Sequence, residues 1–218
     1  MSLVEKMYPQ AVEFIEQHGF LLVFPKQNSE VPNSLWNCFY PHYPMRWDWD
    51  QGADSKVVNM WYLREKLARE RDVVYGKFYQ GRATLFSKKI FKCILAALDQ
   101  DSFAPLSRSA KQILESLEID SPLSTKQLRE VTELKGKMLE GSFHRATKEL
   151  WSRGLIVGMG EVDDGAFPSL AHGATSVVFE ELVREAQTMN PLDAYFEILA
   201  LKDAPTLEKG FPLTREAK

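Results

Sequence analysis

Apolar residues recur along this chain at two periods, and the switch between the periods marks its elements. The stretch from Ser121 to Ala174 shows this most clearly. Ser124 opens a short helical run, and Gln127 stands three residues on, the spacing of a capping box. Leu128 and Val131 are spaced for one buried face of that run. A polar turn holding Gly136 follows. A second helix is then predicted from Leu139 to Arg153, with Phe143, Ala146 and Leu150 at helical spacing toward a core. Gly154 suits a left-handed cap at its end. The period then changes. Leu155-Ile156-Val157 begins a strand, Asp163-Asp164-Gly165 reads as a tight hairpin turn, and Phe167 to Ala174 returns as the partner strand. Helix, turn, helix and β-ribbon in that order predict a winged helix. Ser109 to Glu118, with Ile113, Leu114 and Leu117 apolar, supplies its first helix.

The remaining elements follow the same logic. Met1-Ser2-Leu3 carries no signal. Tyr8 to Gln17 reads as a helix with Val12 and Ile15 inward, Pro9 in its first turn and Gly19 closing it. Phe20 to Phe24 is an apolar strand stopped by Pro25, and a polar loop leads to Leu35-Trp36. Trp61 to Arg71 is a charged helix, and Val73 to Phe86 reads as strand, glycine-containing turn and strand. Ser87 caps a helix from Lys88 to Asp99, with Ile90, Ile94, Leu95 and Leu98 toward a core. An acidic amphipathic helix is predicted from Ser176 to Gln187, with Val177, Phe179, Leu182 and Val183 inward. Asn190-Pro191 opens another helix that packs Leu192, Tyr195, Phe196 and Leu199. From Ala204 a loose tail is expected, with Phe211 the residue able to dock. The predicted class is α+β, a winged helix-turn-helix built as tandem winged-helix-like units. The expected division is 1–104, an N-terminal α/β region readable as a degenerate winged helix; 105–203, the winged helix with C-terminal helices; and the tail, 204–218. The loop Asp101 to Pro105 is the expected boundary.

Composition adjusts this picture in two places. The chain has 218 residues, 44% of them hydrophobic, which suffices for a real core, and a net charge of −3 with a pI of about 5.9. A polyanion site must therefore come from local charge. Trp61 to Lys92 holds nine Lys/Arg against three Asp/Glu, and Ser121 to Gly160 seven against four, whereas Glu161 to Lys218 holds five against eleven. That asymmetry fits a polyanion-facing surface, and it also fits ordinary exposed helices. Cys38 and Cys93 lie far apart among apolar neighbours, the pattern of buried free thiols rather than of a zinc or redox motif. There is no basic leader before an apolar run and no stretch long enough for a membrane span, so a soluble, cytoplasmic protein is expected.

Candidate chemistry sits in three places. On the Leu139–Arg153 helix the face opposite the core carries Ser142, His144, Arg145, Lys148 and Ser152, side chains suited to phosphates and base edges, or simply to water. Lys77, Gln80 and Arg82 sit near the Gly-containing turn. Lys77-Phe78-Tyr79 also pairs a cation with aromatics, as single-strand binders do, although a plain surface hairpin reads the same way. The third is Pro41 to Gly52. In Trp47-Asp48-Trp49-Asp50, an extended backbone puts both indoles on one side and both carboxylates on the other. Trp47 and Trp49 would then stack on a base, and Asp48 or Asp50 would serve as the catalytic carboxylate. Alternatively the tryptophans pin the loop to the core. His42 with Asp48 and Asp50 could form a small acid/base group. There is no P-loop, GxGxxG, GxSxG or HExxH, and His18, His42, His144 and His172 lack metal-ligand spacing, so neither a cofactor nor a metal is expected.

Several ordered features together resemble a set of bacterial proteins. They are the Phe20–Pro25 strand, Leu35-Trp36, the Trp-rich loop, Trp61-Tyr62 with its charged helix, Val74-Tyr75-Gly76-Lys77 and Gly81-Arg82-Ala83-Thr84-Leu85-Phe86-Ser87. Pro122-Leu123-Ser124-Thr125 and Phe143-His144-Arg145-Ala146-Thr147-Lys148-Glu149-Leu150 complete the pattern. It resembles the AlkZ-related proteins, distant kin of the AlkZ/YcaQ DNA glycosylases. The resemblance implies tandem winged helices around a DNA-sized channel. For the true glycosylases it implies release of alkylated or crosslinked bases, with a Gln-x-Gln or Gln-x-Asp pair positioning water. This chain holds neither pair, is much shorter than those glycosylases, and has Asp99-Gln100-Asp101 at the wrong spacing, so no catalytic residue carries over. Three functions fit: a double-stranded-DNA-binding protein, a diverged DNA glycosylase, and a scaffold that docks a protein partner.

Overall fold

In the computed structural model, residues 2–46, 55–79, 81–165, 168–209 and 211–214 are described. The first helix, α1 (Leu3–His18), starts at Ser2, whose side chain accepts from Glu5 N. The N-terminal residues expected to be silent therefore set the helix start, and Pro9 lies inside the helix rather than in its first turn. Its missing N–H orphans the carbonyl of Glu5; both residues are exposed, so water can satisfy that oxygen. Gly19, at φ 75°, ends the helix as expected. Two further helices, α2 (Leu35–Phe39) and α3 (Ser55–Glu70), complete the first set.

Six short strands form one antiparallel sheet. They are β1 (Phe20–Leu22), β2 (Val74–Gly76), β3 (Thr84–Phe86), β4 (Leu123–Ser124), β5 (Ile156–Val162) and β6 (Ser169–Ala174), in the order β1-β3-β2-β5-β6-β4. The architecture is α+β, and the sheet runs across residue 104: Tyr75 on β2 pairs with Gly158 on β5. Alternation along the strands sorts the core onto two faces. Leu21, Tyr75 and Leu85 pack with Ile15, Trp36, Met60 and Leu63 from α1–α3. Phe20, Val74 and Phe86 pack on the other face with Phe91 and Ile94 of α4 (Lys88–Ala97) and Ile198 of α10 (Pro191–Leu199).

The second half runs α5 (Arg108–Ile119), β4, α6 (Thr125–Val131), α7 (Glu140–Ser152), β5, β6. Ser124 and Gln127 form the expected capping box on α6. Val131, expected inward, is 57% exposed, because α6 ends there and only Leu128 reaches the core. Strand β5 stops at Val162 and β6 begins at Ser169, so the connection is longer than a two-residue Asp-Gly turn. The predicted Ser176–Gln187 helix is two, α8 (Thr175–Val178) and α9 (Glu180–Thr188), with a break at Phe179 that shifts the phase and leaves Val177 exposed. On α10, Ala194, Tyr195 and Ile198 take the inward face, which turns Phe196 and Leu199 outward.

The segment from Ala204 is not loose where it is described. It forms α11 (Ala204–Glu208) and buries Leu207, Phe211 and Leu213. Leu213 bridges to Leu98, Asp99 N donates to Pro212 O, and Thr214 N donates to Ala97 O, so this segment pairs with the end of α4. Of the two free cysteines, Cys93 is buried, whereas Cys38 is half-buried.

Candidate nucleic-acid interface

Helix α7 presents its face because of what it buries. Phe143, Ala146, Leu150 and Trp151 take the core side, leaving His144, Arg145 and Lys148 exposed and Ser142 half-buried. Arg145 Nη2 donates to Ser142 Oγ at 3.2 Å. Lys148 has no ion pair among the described residues, and His144 Nε2 lies 3.6 Å from Glu140 Oε1. Ser152 Oγ donates to Glu149 O at 2.8 Å, so that hydroxyl is engaged by its own helix.

The β2–β3 hairpin brings a cation from the first half to the same face. Lys77 lines a cavity of about 290 Å³ with His144, Lys148, Thr125, Trp151 and His172. Gly81, at φ 70°, also lines it; Arg82 is half-buried one residue beyond and does not. Phe78 and Tyr79 are buried. Phe78 packs against Phe86, Phe91, Trp151 and Phe211, so these two aromatics offer no stacking surface to a single strand.

His172 was not singled out by sequence; its one signal was a lone imidazole inside an apolar return strand. It is 4% exposed, and Nε2 lies 3.0 Å from Thr125 Oγ1. That hydroxyl has one hydrogen, which it donates to Leu170 O at 3.2 Å. In that arrangement Oγ1 accepts from Nε2–H and Nδ1 is the bare nitrogen; with the hydroxyl turned to Nε2 instead, Nδ1 carries the hydrogen. Nδ1 is buried and has no partner among the described residues. Burial pushes the imidazole pKa down to about 3, and the nearby Lys77 charge pushes the same way, so the ring is neutral. Burial also lowers the pKa of Lys77. Arg64 adds repulsion, while Glu161 opposes both.

Those two charges belong to one largely enclosed ion pair. Arg64 on α3 pairs with Glu161 on β5, and its guanidinium lies 4.0 Å from the Trp61 ring centroid. Trp61 Nε1 donates to Glu161 Oε2 at 3.2 Å. Beyond the end of β5, Asp164 accepts from Ser124 Oγ and from Ser169 Oγ, and Lys126 Nζ donates to its backbone oxygen at 2.7 Å. The two hydroxyl bonds hold its carboxyl below the usual aspartate range.

Trp47, Asp48, Trp49 and Asp50 lie outside the described residues, and so does Gln80. His42 is exposed. A family model described as AlkZ related matches residues 6–203. The chain belongs to the AlkZ-related family. No curated protein and no solved structure matches it. Among its described residues, this AlkZ-related protein has no helix long and apolar enough to cross a membrane. Nor do they hold a group of three or more His, Cys, Asp or Glu side chains fit for a metal ion.

Proposed function

We propose that this AlkZ-related protein binds double-stranded DNA through a winged helix running from α5 to β6, with α7 as its recognition helix. One observation carries the reading. Lys77 and Lys148, from opposite halves of the chain, line one cavity beside the exposed outer face of α7. A chain with a net charge of −3 concentrates cations there, as a polyanion site requires. In this reading Arg145 and Lys148 meet phosphates, Ser142 and His144 phosphates or base edges, and Lys77 and Arg82 the adjoining strand. Membership of the AlkZ-related family points the same way, toward DNA repair. The glycosylase alternative leans on Asp48 and Asp50 for a carboxylate and on Trp47 and Trp49 for stacking, none of them among the described residues.

Fluorescence anisotropy with a labelled duplex across a salt series tests the proposal, with an alkylated duplex in parallel. Arg145→Ala with Lys148→Ala should weaken binding and flatten the salt dependence by roughly two phosphate equivalents. An unchanged slope overturns the assignment of α7. Preference for the alkylated duplex turns the reading toward a glycosylase, and no binding at low salt turns it toward a protein-docking scaffold.

A further inference from the structure

We infer that the groove where α4, α5, α7 and α9 end docks a basic amphipathic helix of a partner protein. This groove shares no lining residue with the cavity beside α7, and the inference does not depend on the DNA-binding reading. The groove holds about 760 Å³. Its floor is apolar: Leu95, Leu114, Leu155 and Met189 are half-buried, pack on the core from one side and line the groove from the other.

The apolar surface does not end with the groove. Leu192 of α10 lines it, and Phe196 and Leu199 follow four and three residues on, along the same face of that helix. They are 62% and 39% exposed. From Leu192 to Leu199 the stripe runs roughly 10 Å along the helix axis. Large apolar side chains grouped in this way mark an interaction surface. A small molecule filling the groove would leave Phe196 and Leu199 in water, whereas a helix with apolar residues three and four apart covers both. A partner strand would need a ladder edge, and the edge strands of the sheet, β1 and β4, do not line the groove.

Charge selects the partner. Among the described residues, the ionisable side chains of the groove are Asp99, Asp101, Glu118 and Arg153. Arg153 is already matched: it pairs with Glu149 at 3.0 Å and donates to Ala104 O at 2.6 Å. Glu118 is exposed and has no ion pair among the described residues. Asp193 is exposed on α10 beside Leu192. The helix ends act in the same direction. Four C-termini reach the lining through Leu98, Glu118, Gly154 and Met189, against two N-termini, those of α8 and α10. C-termini carry partial negative charge. A polyanion is repelled from such a surface. A helix whose apolar face is flanked by lysine or arginine is drawn to it, and complementary charge of this kind sets partner choice and on-rate.

The test titrates the full chain into a fluorescein-labelled synthetic helix and follows anisotropy. The helix has about 18 residues, roughly 27 Å, with leucines on one face and lysines on the other. A second peptide carries glutamate in place of every lysine. The lysine peptide should bind at least about tenfold more tightly than the glutamate one. Phe196→Ser should weaken its binding about tenfold, as loss of an aromatic anchor does. Glu118→Gln should weaken it about threefold and make its salt dependence shallower. Both side chains are exposed, so both variants should unfold at the parent's temperature and keep the parent's behaviour toward duplex DNA. No binding of the lysine peptide, equal binding of the two peptides, or binding that neither substitution weakens overturns the inference. Sedimentation is run alongside. A parent dimer that Phe196→Ser dissolves gives the surface to a second copy of this chain and overturns the partner helix as well.

Discussion

The ring of Tyr75 lies where a side chain on Gly158 would have to go: a Cβ at that position would fall 2.1 Å from Tyr75 Cδ1. The same two residues are the paired position that joins β2 to β5. The joint between the two halves of the sheet thus depends on a missing methyl group.

Gly158→Ala should therefore destabilise the fold by about 1–3 kcal/mol, the usual cost of overpacking a filled core. Tyr75 is 2% exposed and has little room to move aside. Thermal or urea unfolding checks this; a variant as stable as the parent would show that the two strands can part without cost.

The Arg64–Glu161 pair ties α3 to β5, with side chains 9% and 15% exposed. Removing one partner of so enclosed a pair strands the other's charge. Arg64→Ala should cost about 3–5 kcal/mol, and replacing both residues with apolar ones should cost much less. Urea unfolding of the two single variants and the double variant measures the difference. Equal losses from single and double replacement would remove the charge-stranding argument.

His172 makes stability depend on pH in a predictable direction. Its folded pKa, about 3, lies below the unfolded value near 6.5, so between these values the unfolded chain binds more protons. Its contribution is fully present above pH 6.5 and is lost as pH falls toward 3, by up to about 1.4 kcal/mol per pH unit. Urea unfolding at pH 7 and pH 5 should show the loss in the parent and a smaller one in His172→Gln. Imidazole signals in NMR should stay neutral at pH 5. A ring that protonates near 6.5 in the folded chain would contradict the burial argument.

What could be read from the sequence, and what could not, divides along local and non-local lines. The capping box at Ser124 and Gln127, the core face of α7, and the β2–β3 hairpin rest on spacing within one element, and all three stand in the structure. Pairing of Tyr75 with Gly158 joins distant stretches, and no local pattern announces it. Val131, Phe196 and Leu199 are apolar residues at plausible spacing whose helices end early or present a neighbouring face instead. Phe78 and Tyr79 read as exposed because they flank a turn, yet the turn folds back over the core. At the candidate site, His144, Arg145 and Lys148 could be found from helical spacing. The meeting of Lys77 with Lys148 and His172 required the assembled sheet.

The single hydroxyl of Ser124 serves two masters. It accepts from Gln127 N, which starts α6, and donates to Asp164 beyond the end of β5. Asp164 in turn takes Ser169 Oγ, while Lys126 Nζ reaches the backbone oxygen of Asp164. Mechanically, the stretch holding Asp164 is one arm of a lever pivoted on the first turn of α6. A load that pulls Asp164 away from α6 must first break its bond to the hydroxyl that caps that helix. Asp164 and the first turn of α6 should accordingly move as one unit.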